Sequence, residues 1–165
     1  KAIAPLDERA KQYPNAVTTV GFVAIEPNVI NIIPEKVTFA VDIRGVEETT
    51  IKGLNAALLD DLERLSKEMD MSYTAESLLY AEPVVMNEKI RSCYETSCVR
   101  NAFPYMHLVS GAGHDAQIFG KEVPAAMLFV PSVAGRSHCP EEKSDEKDLA
   151  MAVKVAYDAV LQMNE

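Results

Sequence analysis

Two histidines, His114 and His138, stand in segments whose composition suits chemistry. The first lies in Ser110-Gly111-Ala112-Gly113-His114-Asp115-Ala116, the second in Gly135-Arg136-Ser137-His138-Cys139-Pro140-Glu141-Glu142. Between them runs Ala125-Ala126-Met127-Leu128-Phe129-Val130, an apolar stretch bounded by turn signals that predicts a buried strand. Each histidine then sits on a loop beside a core strand, where α/β sheets place their chemistry. Imidazole is the commonest metal ligand, so His138, with Glu141 and Glu142 nearby, is either a ligand or an exposed loop histidine. His114 opens a short helix after a Gly-rich turn. Backbone N–H groups at such a place favour a carboxylate or an oxyanion; the alternative is that His114 and Asp115 only cap the helix.

Two further side chains belong to a different part of the chain. Arg44 falls on the polar face of a predicted strand together with Asp42. Its planar guanidinium suits bidentate carboxylate binding, but a surface ion pair with Asp42 uses the same geometry. Asn31, between Ile30 and Ile32-Ile33, either satisfies a turn backbone or points at a ligand. The third histidine, His107, lies mid-strand and reads as a packing residue. Cys93 and Cys98, five apart on a predicted helix, point too far apart to share one metal, and Cys139 reads as a bystander to His138.

The elements that position these residues follow from periodicity. Residues 2–12 read as continuing or ending a helix, stopped by Pro14-Asn15. Val17 to Ile25 is a strand by its Val, Thr and Phe content. Val37, Phe39, Val41 and Ile43 alternate with Thr38, Ala40, Asp42 and Arg44, a second strand with one buried face. The two are expected to pair antiparallel. Ile51, Leu54, Leu58, Leu62, Leu65 and Met69 form one stripe of a helix, with Thr49 or Thr50 as its N-cap. Met71 to Ala75 predicts a third strand. After Pro83 the pattern changes to helix, strand, helix, strand, helix: a helix through Cys93 and Cys98, a strand at Tyr105 to Val109, and a short helix from His114 stopped at Gly120. The strand 125–130 follows, then a last helix capped by Ser144 with its apolar stripe at Leu149, Ala152, Val153, Ala156, Tyr157, Val160 and Leu161. The expected fold class is therefore α+β / α/β. Residues 1–83 would form a small antiparallel sheet with one helix on a face, and residues 84–165 part of an α/β domain.

Composition narrows the partners. A net charge of −9 argues against nucleic acid, which needs clustered Lys and Arg. No apolar run approaches the roughly 20 residues of a membrane span. Three cysteines, an odd count without a signal-like segment, predict a reducing, cytoplasmic setting. The first residue is Lys1, so the chain reads as an internal piece of a longer polypeptide.

In order along the chain, Pro27-Asn28-Val29-Ile30-Asn31-Ile32-Ile33-Pro34, then Val37 to Arg44, then Ser110 to Ala116, then Phe129-Val130-Pro131-Ser132 and Gly135 to Glu142 form a series. The series resembles the C-terminal half of the N-carbamoyl-L-amino-acid hydrolase, allantoate amidohydrolase and ureidopropionase group, within the di-zinc aminoacylase-like metallopeptidases. The resemblance covers nearly the whole chain from about residue 17. It implies a lid and dimerisation domain over residues 1–83 and the C-terminal part of a metal-dependent catalytic domain over residues 84–165. It implies that His138 is the last metal ligand and that His114 contacts substrate and steadies the oxyanion. Arg44 and Asn31 would hold the substrate carboxylate, with the Gly113 backbone bordering the substrate. The implied cofactors are two divalent metal ions, zinc first and manganese or cobalt as alternatives, and the implied assembly is a homodimer through the lid.

The departures from that pattern matter as much. The family's N-terminal metal ligands, its bridging Asp, its general-base Glu and a lid histidine have no counterpart in this chain. The expected activity is hydrolysis of a carbamoyl or related non-peptide C–N bond in a small carboxylate substrate by the parent enzyme, the fragment alone being inactive. The competing expectation is a non-catalytic dimerisation or binding module.

Overall fold

The computed structural model describes residues 1–164, and these divide into two compact units, Lys1–Pro83 and the described residues from Val84 onward. In the first unit, helix α1 (Leu6–Ala10) precedes strands β1 (Val17–Glu26) and β2 (Lys36–Arg44), followed by helix α2 (Glu48–Met69). The strands pair antiparallel from Val17 opposite Arg44 to Glu26 opposite Lys36. Gly21 is skipped in this register, between Val20 and Phe22. An unpaired residue of this kind kinks and twists the strand, and glycine tolerates it best. Helix α2 packs on β2, and α1 packs on both β1 and α2. The sheet therefore carries two helices, where the sequence predicted one.

The predicted stripe of α2 is borne out where Leu54, Leu58 and Leu65 are buried with Leu6 and Ala10 of α1, while Met69 at its end is exposed. A partly buried ion pair reinforces this seam: Arg9 Nη1 lies 2.7 Å from Asp61 Oδ2, and the same guanidinium donates to the Ala57 carbonyl. Arg9 and Arg64 together hold the Asp61 carboxyl below its ordinary value.

Two expectations in this unit need correction. Thr49 and Thr50 lie inside α2, whose N-cap is Glu47 with no side-chain cap bond. The chain leaves β2 only three residues earlier, so the helix starts before the threonines can serve. Residues 71–75 form no strand; among the described residues they have no ladder partner. The segment after α2 is tied to it through side chains instead, Tyr73 Oη donating to Glu63 and Tyr80 Oη to Glu48.

In the second unit, helices α3 (Glu88–Arg100), α4 (Asp115–Glu122) and α5 (Glu146–Met163) are present, with one 3₁₀ turn at Val133–Gly135. Helix α3 packs on α5. Their seam buries Cys93, Ser97 and Cys98 against Val155, Asp158 and Ala159. Ser97 Oγ donates to Asp158 Oδ2 at 2.8 Å, Asn101 Nδ2 donates to the same oxygen at 3.0 Å, and the Lys154 ammonium pairs with Oδ1. A buried carboxylate with all these partners satisfied links the two helices at a fixed rotation.

The α5 stripe expected from sequence is wrong in its face. Leu149, Val153, Tyr157, Val160 and Leu161 are exposed, and the packed face runs through Val155, Asp158 and Ala159. Apolar residues occur on both sides of this helix, so periodicity could not choose between them. Its N-cap is Asp145, accepting from the Lys147 N–H at 2.9 Å, rather than Ser144.

Segments 105–109 and 125–130 carry no ladder among the described residues, so the α/β sheet expected there is absent. A strand needs a continuous hydrogen-bonded neighbour, and the bond from the Asn87 N–H to the Ala125 carbonyl at 2.7 Å is not continued into a ladder; Met106, Leu108, Leu128 and Phe129 are exposed. Helix α4 continues through Gly120, which was expected to stop it. A Cβ there would lie 2.8 Å from Val84 Cγ1, so glycine permits close packing at this point.

Candidate functional site

The candidate residues fall in both units: Asn31 and Arg44 in the first, Gly113, His114 and His138 in the second. Arg44 is the last residue of β2, half exposed, and its Nε and Nη2 both donate to Asp42 Oδ2 at 2.9 and 2.6 Å. Strand residues two apart share a face, so the pairing follows from the ladder. The Asp42 carboxylate holds the guanidinium more firmly protonated than usual. Asn31 is exposed in the loop joining β1 to β2, with Ile30 and Ile33 almost wholly exposed beside it.

These two residues do not meet within one copy of the chain. The ladder from Lys36 to Arg44 spans roughly 25 Å at strand pitch. Asn31 belongs to the loop that closes the far end, so the two stand at opposite ends of the hairpin.

His114 is the N-cap of α4, with extended backbone angles. The backbone N–H of Ala116 donates to its Nδ1 at 3.0 Å. A histidine replaces the usual Ser, Thr, Asp or Asn in satisfying an orphan N–H of the first turn. Capping and an outward-facing function therefore coexist, because the other ring nitrogen, Nε2, remains available. The loop before it is closed by Ser110 Oγ donating to the Ala112 carbonyl at 2.9 Å. A Cβ built on Gly113 would meet nothing within 4 Å, so open space borders the backbone there.

His138 has a backbone φ of 56°, in the left-handed region that side chains with a Cβ rarely occupy. Ala134 at 57° and Gly135 at 66° share that region a turn earlier. Strain concentrated in so short a stretch persists only where surrounding contacts over-determine it. Glu142 supplies one of these, its Oε2 accepting from the His138 N–H at 2.8 Å. Nδ1 of His138 lies 3.1 Å from Ser137 Oγ. The sequence pointed to Glu142 only as a nearby acid; its role as a backbone anchor was missed.

His107 is not a packing residue. Its side chain is exposed, edge-on to Tyr105 and 3.6 Å from Glu95 Oε1. Cys93 and Cys98 are buried free cysteines.

The sequence pattern of the peptidase family M20/M25/M40 matches residues 8–162. The chain belongs to this family. Among M20 relatives, it is 37% identical over 148 residues to the allantoate amidohydrolase of Escherichia coli, a match covering 89% of this chain and 36% of that protein. It is 33% identical over 161 residues to an N-carbamoyl-L-amino acid amidohydrolase of Geobacillus stearothermophilus, covering 98% of this chain and 39% of that one. An amidase of the hydantoinase/carbamoylase family from Burkholderia multivorans shares the fold with a TM-score of 0.89 at 28% identity, over 98% of this chain and 39% of its own. The chain thus spans a little over a third of the length of these M20 relatives.

The M20 family is metal-dependent. The residues present do not make a complete metal site: among those described, no group of three or more His, Cys, Asp or Glu gathers to hold an ion. A catalytic zinc needs about three protein ligands. No helix among the described residues is long and apolar enough to cross a membrane.

Proposed function

We propose that this chain supplies the substrate-gripping and carbonyl-facing residues of an M20 amidohydrolase that cleaves a carbamoyl or related non-peptide C–N bond. The substrate would be a small carboxylate: an N-carbamoyl-L-amino acid, ureidopropionate or allantoate. The observation that carries this reading is His114, whose ring caps α4 through Nδ1 and leaves Nε2 free for a ligand. The names of the E. coli and G. stearothermophilus relatives support the substrate class.

Arg44 would take the substrate carboxylate, exchanging Asp42 for a ligand of the same chemistry. Asn31 would reach the same carboxylate only from a second copy of the chain, since the hairpin separates the two residues. A homodimer through residues 1–83 meets that requirement. His138, held in its strained turn by Glu142, would contribute one ligand to the two divalent ions of a full-length enzyme, zinc first and manganese or cobalt as alternatives. Residues 84–165 would be the C-terminal part of its catalytic domain. Any protein containing this chain would work without nucleic acid or membrane, in the cytoplasm.

The test is ammonia and carbon dioxide release from the three substrates by a full-length enzyme containing this chain, with metal analysis of two variants. His114→Ala should lose turnover at normal metal content, whereas His138→Ala should lose metal. The reverse pattern would exchange the two assignments, and no turnover of any ureido substrate would leave a binding module.

A further inference from the structure

The first turn of α4 does more than accept a cap from His114. An imidazole nitrogen accepts a hydrogen bond only through a lone pair, so Nδ1 carries no proton while Ala116 N–H donates to it at 3.0 Å. In the neutral ring the single proton must then reside on Nε2. The donor is a backbone group in a buried position, since Ala116 is 8% exposed, and it cannot turn away or accept in return. The Gln117 N–H donates to the His114 carbonyl at 2.8 Å, which fixes the backbone from which the ring projects.

We infer that the N-terminus of α4 locks His114 as the Nε2–H tautomer, making it a fixed hydrogen-bond donor to the carbonyl oxygen of a ureido group. This rests on the reading of His114 as a substrate-facing residue. A ring locked in this way cannot abstract a proton through Nε2, which already holds one, nor through Nδ1, which is occupied. Its contribution is a donor aimed before the substrate arrives, so charge developing on the carbonyl oxygen meets a dipole that needs no reorientation. The Ala116 N–H is the positioning group and His114 the residue that touches substrate. An aliphatic cap residue would lose both, and a short polar cap only the second.

Long-range ¹H–¹⁵N correlation spectra of the ¹⁵N-histidine-labelled protein at neutral pH test this directly, the His114 signals being assigned by their disappearance in His114→Asn. The expected spectrum shows a protonated Nε2 and an unprotonated, acceptor-type Nδ1. A protonated Nδ1, or averaging between tautomers, would overturn the lock whatever the activity. In a full-length enzyme, His114→Asn keeps a good cap and should melt within a few degrees of wild type. Its turnover should nevertheless fall about a hundred- to a thousandfold, as when one oxyanion donor is removed. Unchanged turnover in His114→Asn would overturn the donor role even if the tautomer is as inferred. A wild-type enzyme without activity on any ureido substrate would sink the functional reading, and the spectrum would still decide the tautomer.

Discussion

Glu142 holds the backbone of His138 from four residues ahead, Oε2 to N–H at 2.8 Å, with His138 in the left-handed region. The contact determines where the imidazole projects without touching the imidazole. Groups that orient a ligand in this way typically cost about 10–100-fold in metal affinity or activity when removed. In a full-length enzyme, Glu142→Ala should lower metal affinity within that range, while Glu142→Gln, which keeps an acceptor, should retain most of it. Competitive chelation measures both; equal loss in the two variants would show that the charge of Glu142 matters rather than its hydrogen bond.

Arg44 and Asn31 stand at opposite ends of one hairpin, so a shared carboxylate would need one residue from each copy of a two-fold dimer. Mixing inactive Arg44→Ala and Asn31→Ala enzymes should then restore activity. Each mixed dimer would have one intact site, and random exchange of subunits would return about a quarter of wild-type activity. No recovery after confirmed subunit exchange would place both residues in the same site from one chain, or remove one of them from it.

Lysine cannot reproduce the planar fork that Arg44 presents to Asp42 and, on the proposed reading, to substrate. Losing a charged hydrogen bond costs about 1.5–3 kcal/mol, which corresponds to roughly a ten- to hundredfold fall in kcat/KM for Arg44→Lys. Unchanged kinetics would return Arg44 to a surface ion pair with Asp42.

The Asp158 carboxyl is held down to about 2 from its ordinary 3.8, first by the Lys154 ammonium, then by the Ser97 hydroxyl and Asn101. A depressed carboxyl stabilises the fold fully above its ordinary value, and that contribution disappears as pH falls through the folded value. Melting temperature should therefore drop between about pH 3.8 and 2, and Asp158→Asn should flatten that part of the profile while destabilising the protein at neutral pH. Identical slopes in the two proteins would show that other carboxylates govern the acid limb.

The 165 residues alone should retain no tightly bound metal after dialysis against zinc, because no cluster of ligands forms among the described residues. They should also associate. Ile30, Ile33, Met106, Phe129 and Val153 are among many exposed large apolar side chains, and such patches drive assembly. Light scattering with metal analysis checks both, and a monodisperse monomer with two bound zinc ions would contradict both expectations.

Much of the first unit was legible in the sequence because its signals are local. Period-two alternation placed β2, and the leucine spacing placed the buried face of α2. The site was legible only in residue types: Gly-Ala-Gly before His114 marked a helix start, but nothing local showed that Nδ1 makes the cap. Glu142 escaped because holding a backbone N–H leaves no trace in composition. The strands at 105–109 and 125–130 were misread for another reason. Apolar runs record a tendency to be buried, whereas a strand exists only when a neighbour supplies hydrogen bonds.

Helix α5 keeps Val155 and Ala159 against α3 while Leu149, Val153, Tyr157 and Val160 face outward. A helix apolar on both sides is built for the interior of a larger body. Its two faces therefore differ in how they tolerate change. A polar residue at Ala159 disrupts the seam with α3 in any context. A polar residue at Val153 is tolerated while that face stays wet, and becomes harmful only once another layer covers it. Comparing the tolerance of α5 in this chain and in a longer enzyme would reveal, position by position, which of its residues another layer covers there.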